Sequence, residues 1–316
     1  MDLERAGEEQ AAQPSPPNPL VPQHNWLQGP NGLRAGWRLF IYLLMVSAMG
    51  TAVAIAAGFF SKGGGVTSPA SLLVAELVSF VVAFGAAFLM SQIERRPLRE
   101  YGLPLEELFG GKFWLGFLFG LVEIWALMGL IRAFGGYSFG DFSLQGQQII
   151  RWGAFHLLLF FFVGLFEEFL FRGYTQFTLS DGIGFWPAAI LLSVGFGAVH
   201  LGNTGEGLIG AASVAVVGLF FCFTLRRTGN LWYAVGLHAS FDWGETFLFS
   251  VPNSGAVLQG HLSNSVLHGA TWLTGGTVGP EGSVFCFVTM GLQFLAVALL
   301  FPAKKRDKAQ VNGSST

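Results

Sequence analysis

Charge is what this sequence has least of. Asp, Glu, Lys and Arg together make up 11% of its 316 residues, against about 25% in ordinary soluble domains. The net charge of -2 by itself says nothing about nucleic acid, but beyond the short C-terminal basic run there is no basic tract interleaved with aromatics to form a nucleic-acid surface. Cysteine is nearly absent as well: Cys222 and Cys286 sit inside apolar runs without CxxC spacing. A disulfide framework or a thiolate metal site is thereby excluded, and both cysteines read as small buried hydrophobes. There is no HExxH pair and no internal repeat.

Apolar residues, in contrast, account for 52% of the chain and gather into long runs. About 20 of them are needed to cross roughly 30 Å of hydrocarbon. Candidate spans are 37–60, 70–92, 113–134, 153–175, 186–203, 208–225, 231–249 and 283–302, which predicts an all-α polytopic membrane protein with eight transmembrane helices. An even number of crossings puts both termini on one side. Arg34, Arg38, Arg95, Arg96, Arg99, Lys112, Arg172, Arg226, Arg227, Lys304, Lys305, Arg306 and Lys308 all fall on that side, and only Lys62, Arg132 and Arg151 fall opposite. Positive charge marks the cytoplasmic face, so both termini are expected in the cytoplasm and the protein in the plasma (inner) membrane.

Residues 1–33, with their QPSPPNPLVPQ stretch, are expected to be a disordered cytoplasmic tail, residues 34–303 the transmembrane domain, and 304–316 a basic cytoplasmic tail. The long polar front argues that the first span is retained rather than cleaved as a signal peptide, although Ala54 and Ala56 imitate a cleavage site. Residues 93–112 mix basic with apolar side chains, which fits an interfacial helix or a solvated loop. Residues 250–282, rich in Gly, Ser and Asn and free of Lys and Arg, are expected to form an outer loop that is partly re-entrant.

An ionisable group inside a bilayer costs about 2.5–3.5 kcal/mol on insertion scales, so a cluster of them points to function. Span four carries EEFLFR. Glu168 and Arg172 are four residues apart, on one helical face, and are expected to pair. Glu167 is turned by about 100° and meets other neighbours. Apolar surroundings disfavour a charged carboxylate, which suits a general base that takes a proton from water and returns it. Glu167 fits that role, and the plainer alternative is a pair that anchors the span at the interface. Phe196 is followed four residues later by His200 in span five, and His238 by Asp242 in span seven. Each His reads alone as a hydrogen-bonded core residue; together, imidazoles and carboxylates from three helices can bind zinc or orient water against a carbonyl. Glu123 lies mid-span, as a partner of Arg172 or part of the site. His156 and Glu245, near the outer span ends, and Glu206, in an outer turn, read as exposed groups without chemistry. Gly116 and Gly120 form a GxxxG that supports close helix packing.

The order EExxxR, FxxxH, HxxxD on three later spans resembles the CAAX protease and bacteriocin-processing family of membrane proteases, related to the type II CAAX prenyl endopeptidases, over about residues 153–245. The core of that resemblance is expected to span 153–249. It implies an intramembrane glutamate-type endopeptidase without a cofactor, acting on a peptide or a lipidated or membrane protein in the lipid bilayer, with no role for nucleic acid. It implies further that Glu167 activates water with help from His200, that Glu168 and Arg172 hold the geometry, and that His238 and residue 242 line the place where the oxyanion forms. The prenyl endopeptidases resembled have Asn at that last position, where this chain has Asp242. An ionised Asp has no proton to donate, so Asp242 is protonated, orients His238 or binds a metal. Two further readings remain at this stage. One is a zinc metalloprotease with Glu167, His200 and His238 as ligands; the other is a non-catalytic membrane transport or immunity protein. At about 1.5 Å of rise per residue, Glu167 reaches the level of His200 only if span four is long, to about Leu179, with the site opening toward the cytoplasm or the cytoplasmic half of the bilayer.

Overall fold

A computed structural model describes residues 26–29, 32–60 and 68–303. The tail expected over 1–33 lies mostly outside the described residues, as do the basic tail at 304–316 and Lys62; within 26–33, Gln28–Gly29 pairs antiparallel with Gly32–Leu33. The fold is helical: α1 (Ala35–Phe60), α2 (Pro69–Glu94), α3 (Gly111–Ala133), α4 (Gln147–Arg172), α5 (Tyr174–Ile183), α6 (Phe185–His200), α7 (Leu208–Thr228), α8 (Trp232–Trp243), α9 (Thr271–Thr274) and α10 (Val284–Leu300). A helix stands at each of the eight expected spans. Five helical runs, α1, α2, α3, α7 and the joined α4–α5, are long and apolar enough to cross a membrane; α6 and α10 are shorter, and α8 is 12 residues prolonged by a wider π-helical turn at Gly244–Leu248. Val81, Val122, Trp125, Val194 and Leu292 stand more than half exposed on the outer helix faces, where lipid tails are the solvent such side chains suit.

Lipid is as apolar as a leucine face, so helices in it gain by close backbone approach rather than by hiding apolar area. The α3–α8 pair shows how. A Cβ on Gly116 would lie 2.0 Å from the Tyr233 carbonyl oxygen, and one on Gly120 would lie 2.1 Å from Ser240 Oγ; in return, a Cβ on Gly236 of α8 would meet the Phe113 carbonyl oxygen at 2.2 Å. Small residues on both helices let α8, which carries His238 and Asp242, lie directly on α3.

The fourth apolar run extends as helix over 37 residues, Gln147–Ile183, but not as one straight rod. Gly173 leaves helical geometry with ψ -124°, where a Cβ would strike the Phe169 carbonyl oxygen at 2.4 Å, and α5 turns off to pack on α1 and α6. Its end is tied down by ions. Arg38 of α1 bridges Glu94 of α2 at 2.7 Å and Asp181 of α5 at 2.9 Å, and Arg96 reaches Asp181 at 2.8 Å. The Tyr174 hydroxyl donates to Glu94 as well. The stretch 93–112 at this end is no long helix but two single 3-10 turns, Leu98–Tyr101 and Leu105–Glu107.

The opposite end is closed by loops 134–146, 201–207 and 249–283. Tyr137–Ser138 pairs antiparallel with Val266–Leu267, and the Tyr137 hydroxyl donates to the Phe249 carbonyl at 3.0 Å. Gly255 N–H donates to the Val278 carbonyl at 2.8 Å, so the long Gly- and Ser-rich segment folds back on itself as a cap.

Candidate active site

The site begins in the last two turns of α4. Spacing by four stacks Glu168 and Arg172 on one face, and Arg172 Nη1 donates to Glu168 Oε1 at 3.2 Å with both side chains fully buried. The rest of the guanidinium is met by rings rather than by oxygen. It lies 4.2 Å from the Phe196 ring centroid and 5.6 Å from that of Phe221, a cation–π arrangement that a desolvated arginine suits. Gly218 leaves room for it: a Cβ there would lie 2.6 Å from Arg172 Nη2.

Phe196 and Phe221 each also touch a histidine. Phe196 packs edge-on against His200, and Phe221 stacks on His238 with an interplanar angle of 15°. His200 Nδ1 donates to the Phe196 carbonyl one turn back in α6 at 2.8 Å. That bond fixes the ring and leaves Nε2 as its basic nitrogen in the neutral form. His238 Nδ1 donates to Glu168 Oε1 at 3.0 Å, the same oxygen that Arg172 holds. The other nitrogen, Nε2, lies 3.8 Å from Glu167 Oε2 and 3.5 Å from Asp242 Oδ2. Glu168 thus does more than pair with arginine: it orients His238, a link that sequence spacing does not carry because the two residues are 70 apart. Asp242 faces His238 across a gap too long for a firm hydrogen bond.

Glu167, His200, His238 and Asp242 line one cavity of about 410 Å³. All four residues expected to do chemistry therefore converge on one space, with Glu168 and Arg172 buried behind it. Among the described residues, no three His, Cys, Asp or Glu side chains are gathered closely enough to hold a metal ion. The cavity also holds two carboxylates, Glu76 and Glu281, that sequence reading passed over. Glu76 of α2 lines it beside Glu167 and His238, and Glu123, Glu245 and Glu281 line it too. Glu76 is a lone acid in an apolar run and Glu281 a loop residue, so neither has a spacing partner to mark it.

Two expectations are corrected. His156 and Glu245, read as exposed at span ends, are 0% and 1% exposed, because the cap folds over them; Glu245 even enters the cavity. Of the two readings of Glu123 the structure favours the second: it lines the cavity, while Arg172 is held by Glu168. The cavity wall also includes Asn203, Asn253 and Ser254 of the capping loops, at the end of the bundle away from the Arg38–Glu94–Asp181 network. The site therefore reaches toward the end opposite the one that carries the arginines, where spacing alone had it open toward that arginine-rich face.

Residues 150–244 match the family described as type II CAAX prenyl endopeptidase Rce1-like, and that match supports the resemblance to CAAX proteases read from the motifs. The matched stretch runs from the first turn of α4 to the end of α8 and so includes every residue of the Glu167–Asp242 set. No curated protein matches the chain.

Proposed function

We propose that this protein is an intramembrane endopeptidase of the CAAX-protease type that hydrolyses a peptide bond of a membrane-associated protein or peptide, with Glu167 as general base. The observation that carries the reading is the convergence on one cavity, inside an apolar helical bundle, of Glu167 and His200 with an oriented His238–Asp242 pair. Glu167 takes a proton from a water that His200 Nε2 helps to hold, and the water oxygen adds to the carbonyl carbon. His238, bonded to Glu168 through Nδ1–H and protonated at Nε2 as well, and Asp242 in its protonated form donate to the oxyanion that forms. When the C–N bond breaks, the proton on Glu167 passes to the leaving amine, so the base is regenerated and no covalent enzyme intermediate is needed. Eight membrane crossings, both termini in the cytoplasm and a place in the plasma (inner) membrane complete the proposal.

The test is cleavage of a peptide reporter library, prenylated and unprenylated, by the detergent-purified full chain. Glu167→Ala is expected to lower kcat by about 10²–10⁴-fold, the usual worth of a general base, and equal rates for variant and wild type would sink the assignment. A chelator is expected to leave the rate unchanged. Loss with chelator and recovery with zinc would replace the glutamate mechanism by a metal-dependent one on the same residues.

A further inference from the structure

The catalytic set leaves several acids of the cavity unused, and Glu76 of α2 differs from the others in its exposure. Glu123, Glu245 and Glu281 are buried; Glu76 is half-buried and lines the space with Glu167 and His238. Its place follows from the helix. Glu76, Phe80 and Phe84 succeed one another by fours, along one ridge of α2. The Phe80 and Phe84 rings lie 6.0 and 5.3 Å from that of Phe169, so the ridge presses on α4. Both helices run toward the arginine-rich end, where Glu94 of α2 meets Tyr174 just past α4. Glu167 comes two residues before Phe169, which sets Glu76 on the cap side of Glu167 by about one turn, roughly 6 Å along the axis.

Among the described residues no hydrogen-bond donor meets the Glu76 carboxyl group, and the charged groups that face it are Glu167 and His238. His238 Nε2 stands 3.8 Å from Glu167 and supports an anion there, whereas an anion on Glu76 would lack a donor in an apolar bundle, which is costly. Glu167 therefore suits the anionic base, and Glu76 the acid that keeps its proton. Hydrolysis of a peptide needs such an acid, because nitrogen leaves as an amine and must gain a proton as the C–N bond breaks. In the proposed reaction His238 and Asp242 are engaged at the oxyanion. Two carboxyls with room between them for a water and a bond are the arrangement of inverting glycosidases, at about 6.5–9.5 Å.

Resting on the endopeptidase reading, we infer that Glu76 is a further catalytic residue, the acid that protonates the leaving nitrogen. Water gives a proton to Glu167 while its oxygen bonds to the carbonyl carbon. The Glu76 O–H bond then breaks as the amine N–H forms, and the C–N electron pair leaves on nitrogen. The proton on Glu167 replaces the one that Glu76 gave, so it reaches the amine by way of Glu76 and both groups are restored. The stretch that matches the family, 150–244, does not include α2.

The test compares a reporter peptide with its thioester twin, in which sulfur replaces the scissile N–H, on the detergent-purified full chain. A thiolate, whose thiol has a pKa of about 8.5, leaves without a proton donor. Glu76→Gln is expected to lower kcat about 10²-fold or more on the peptide and at most about threefold on the thioester, whereas Glu167→Ala lowers both. Retained thioester cleavage also shows that the variant is folded. Glu76→Asp, an acid on a shorter stem, is expected to fall between wild type and Glu76→Gln on the peptide. A wild-type peptide rate for Glu76→Gln, or an equal loss on both substrates in both variants, would overturn the role of Glu76 and leave Glu167 as base. Cleavage of neither substrate by the wild type would defeat the endopeptidase reading itself, and Glu76 with it.

Discussion

At the scale of single residues, Arg172 connects more of the site than any other side chain. It is fully buried, pairs with Glu168, and lies over the two rings that pack on His200 and His238. Removing one partner of a buried pair leaves an uncompensated charge, at a cost of about 3–5 kcal/mol. Lysine keeps the charge but has neither the fork nor the flat face for stacking. Arg172→Lys is therefore expected to stay folded with a lower melting temperature in detergent and to lose most of its activity. Glu168→Gln keeps the shape and an acceptor for His238 but not the charge, and should lower kcat about 10–100-fold, the range seen when the partner that orients an imidazole is changed, with little change in KM. A wild-type kcat for Glu168→Gln would show that orientation of His238 is not what Glu168 contributes. Asp242 is tested by replacement with Asn. An Asn amide donates a hydrogen bond as a protonated Asp does, so Asp242→Asn should keep activity within about tenfold of wild type, a factor worth about 1.4 kcal/mol, while Asp242→Ala loses it. If Asp242→Asn is as inactive as Asp242→Ala, the negative charge of Asp242 is what matters.

At the scale of elements, the catalytic geometry depends on how closely α8 approaches α3. Helix-to-helix contact there is backbone against backbone at Gly116, Gly120 and Gly236. A side chain in that seam displaces α8, with His238 and Asp242, relative to α4 and Glu167, because α8 packs on both α3 and α4. Gly120→Val is expected to cost about 1–3 kcal/mol by overpacking, read as a lower melting temperature, and to reduce activity even though no reacting group is altered. Gly129→Ala on the same helix, where an added Cβ meets nothing within 4 Å, is the control and should be silent. The GxxxG pattern in α3 was readable beforehand as a packing signal, and its partner surface was not. Which helix presses on it depends on the path of the chain through the loops between, not on α3.

For the whole molecule, the layout predicts two faces of opposite character. One carries the Arg38, Arg96, Glu94 and Asp181 network, and the other the folded cap that lines the cavity. Leu105 and Val257 are 70% and 71% exposed on these two faces, while both native cysteines are buried. In intact cells an impermeant thiol reagent is therefore expected to label Val257→Cys and to spare Leu105→Cys until the membrane is opened. Labelling of both from one side would overturn the eight-crossing arrangement. The same geometry puts Asn203, Asn253 and Ser254 of the capping loops in the wall of the cavity.

The sequence by itself determined the apolar helices, the charge asymmetry of the two faces and the set Glu167, Glu168, Arg172, His200, His238 and Asp242. These are legible because helix periodicity and the cost of charge in lipid act locally, within a turn or a span. Only the tertiary structure decided that Glu168 holds His238, that Phe196 and Phe221 carry Arg172's position to both histidines, and that Glu76, Glu123, Glu245 and Glu281 share the cavity. Those relations join residues tens to hundreds of positions apart, and no local spacing records them. The fold of the cap over Glu245 turned a residue that read as exposed into a wall of the site.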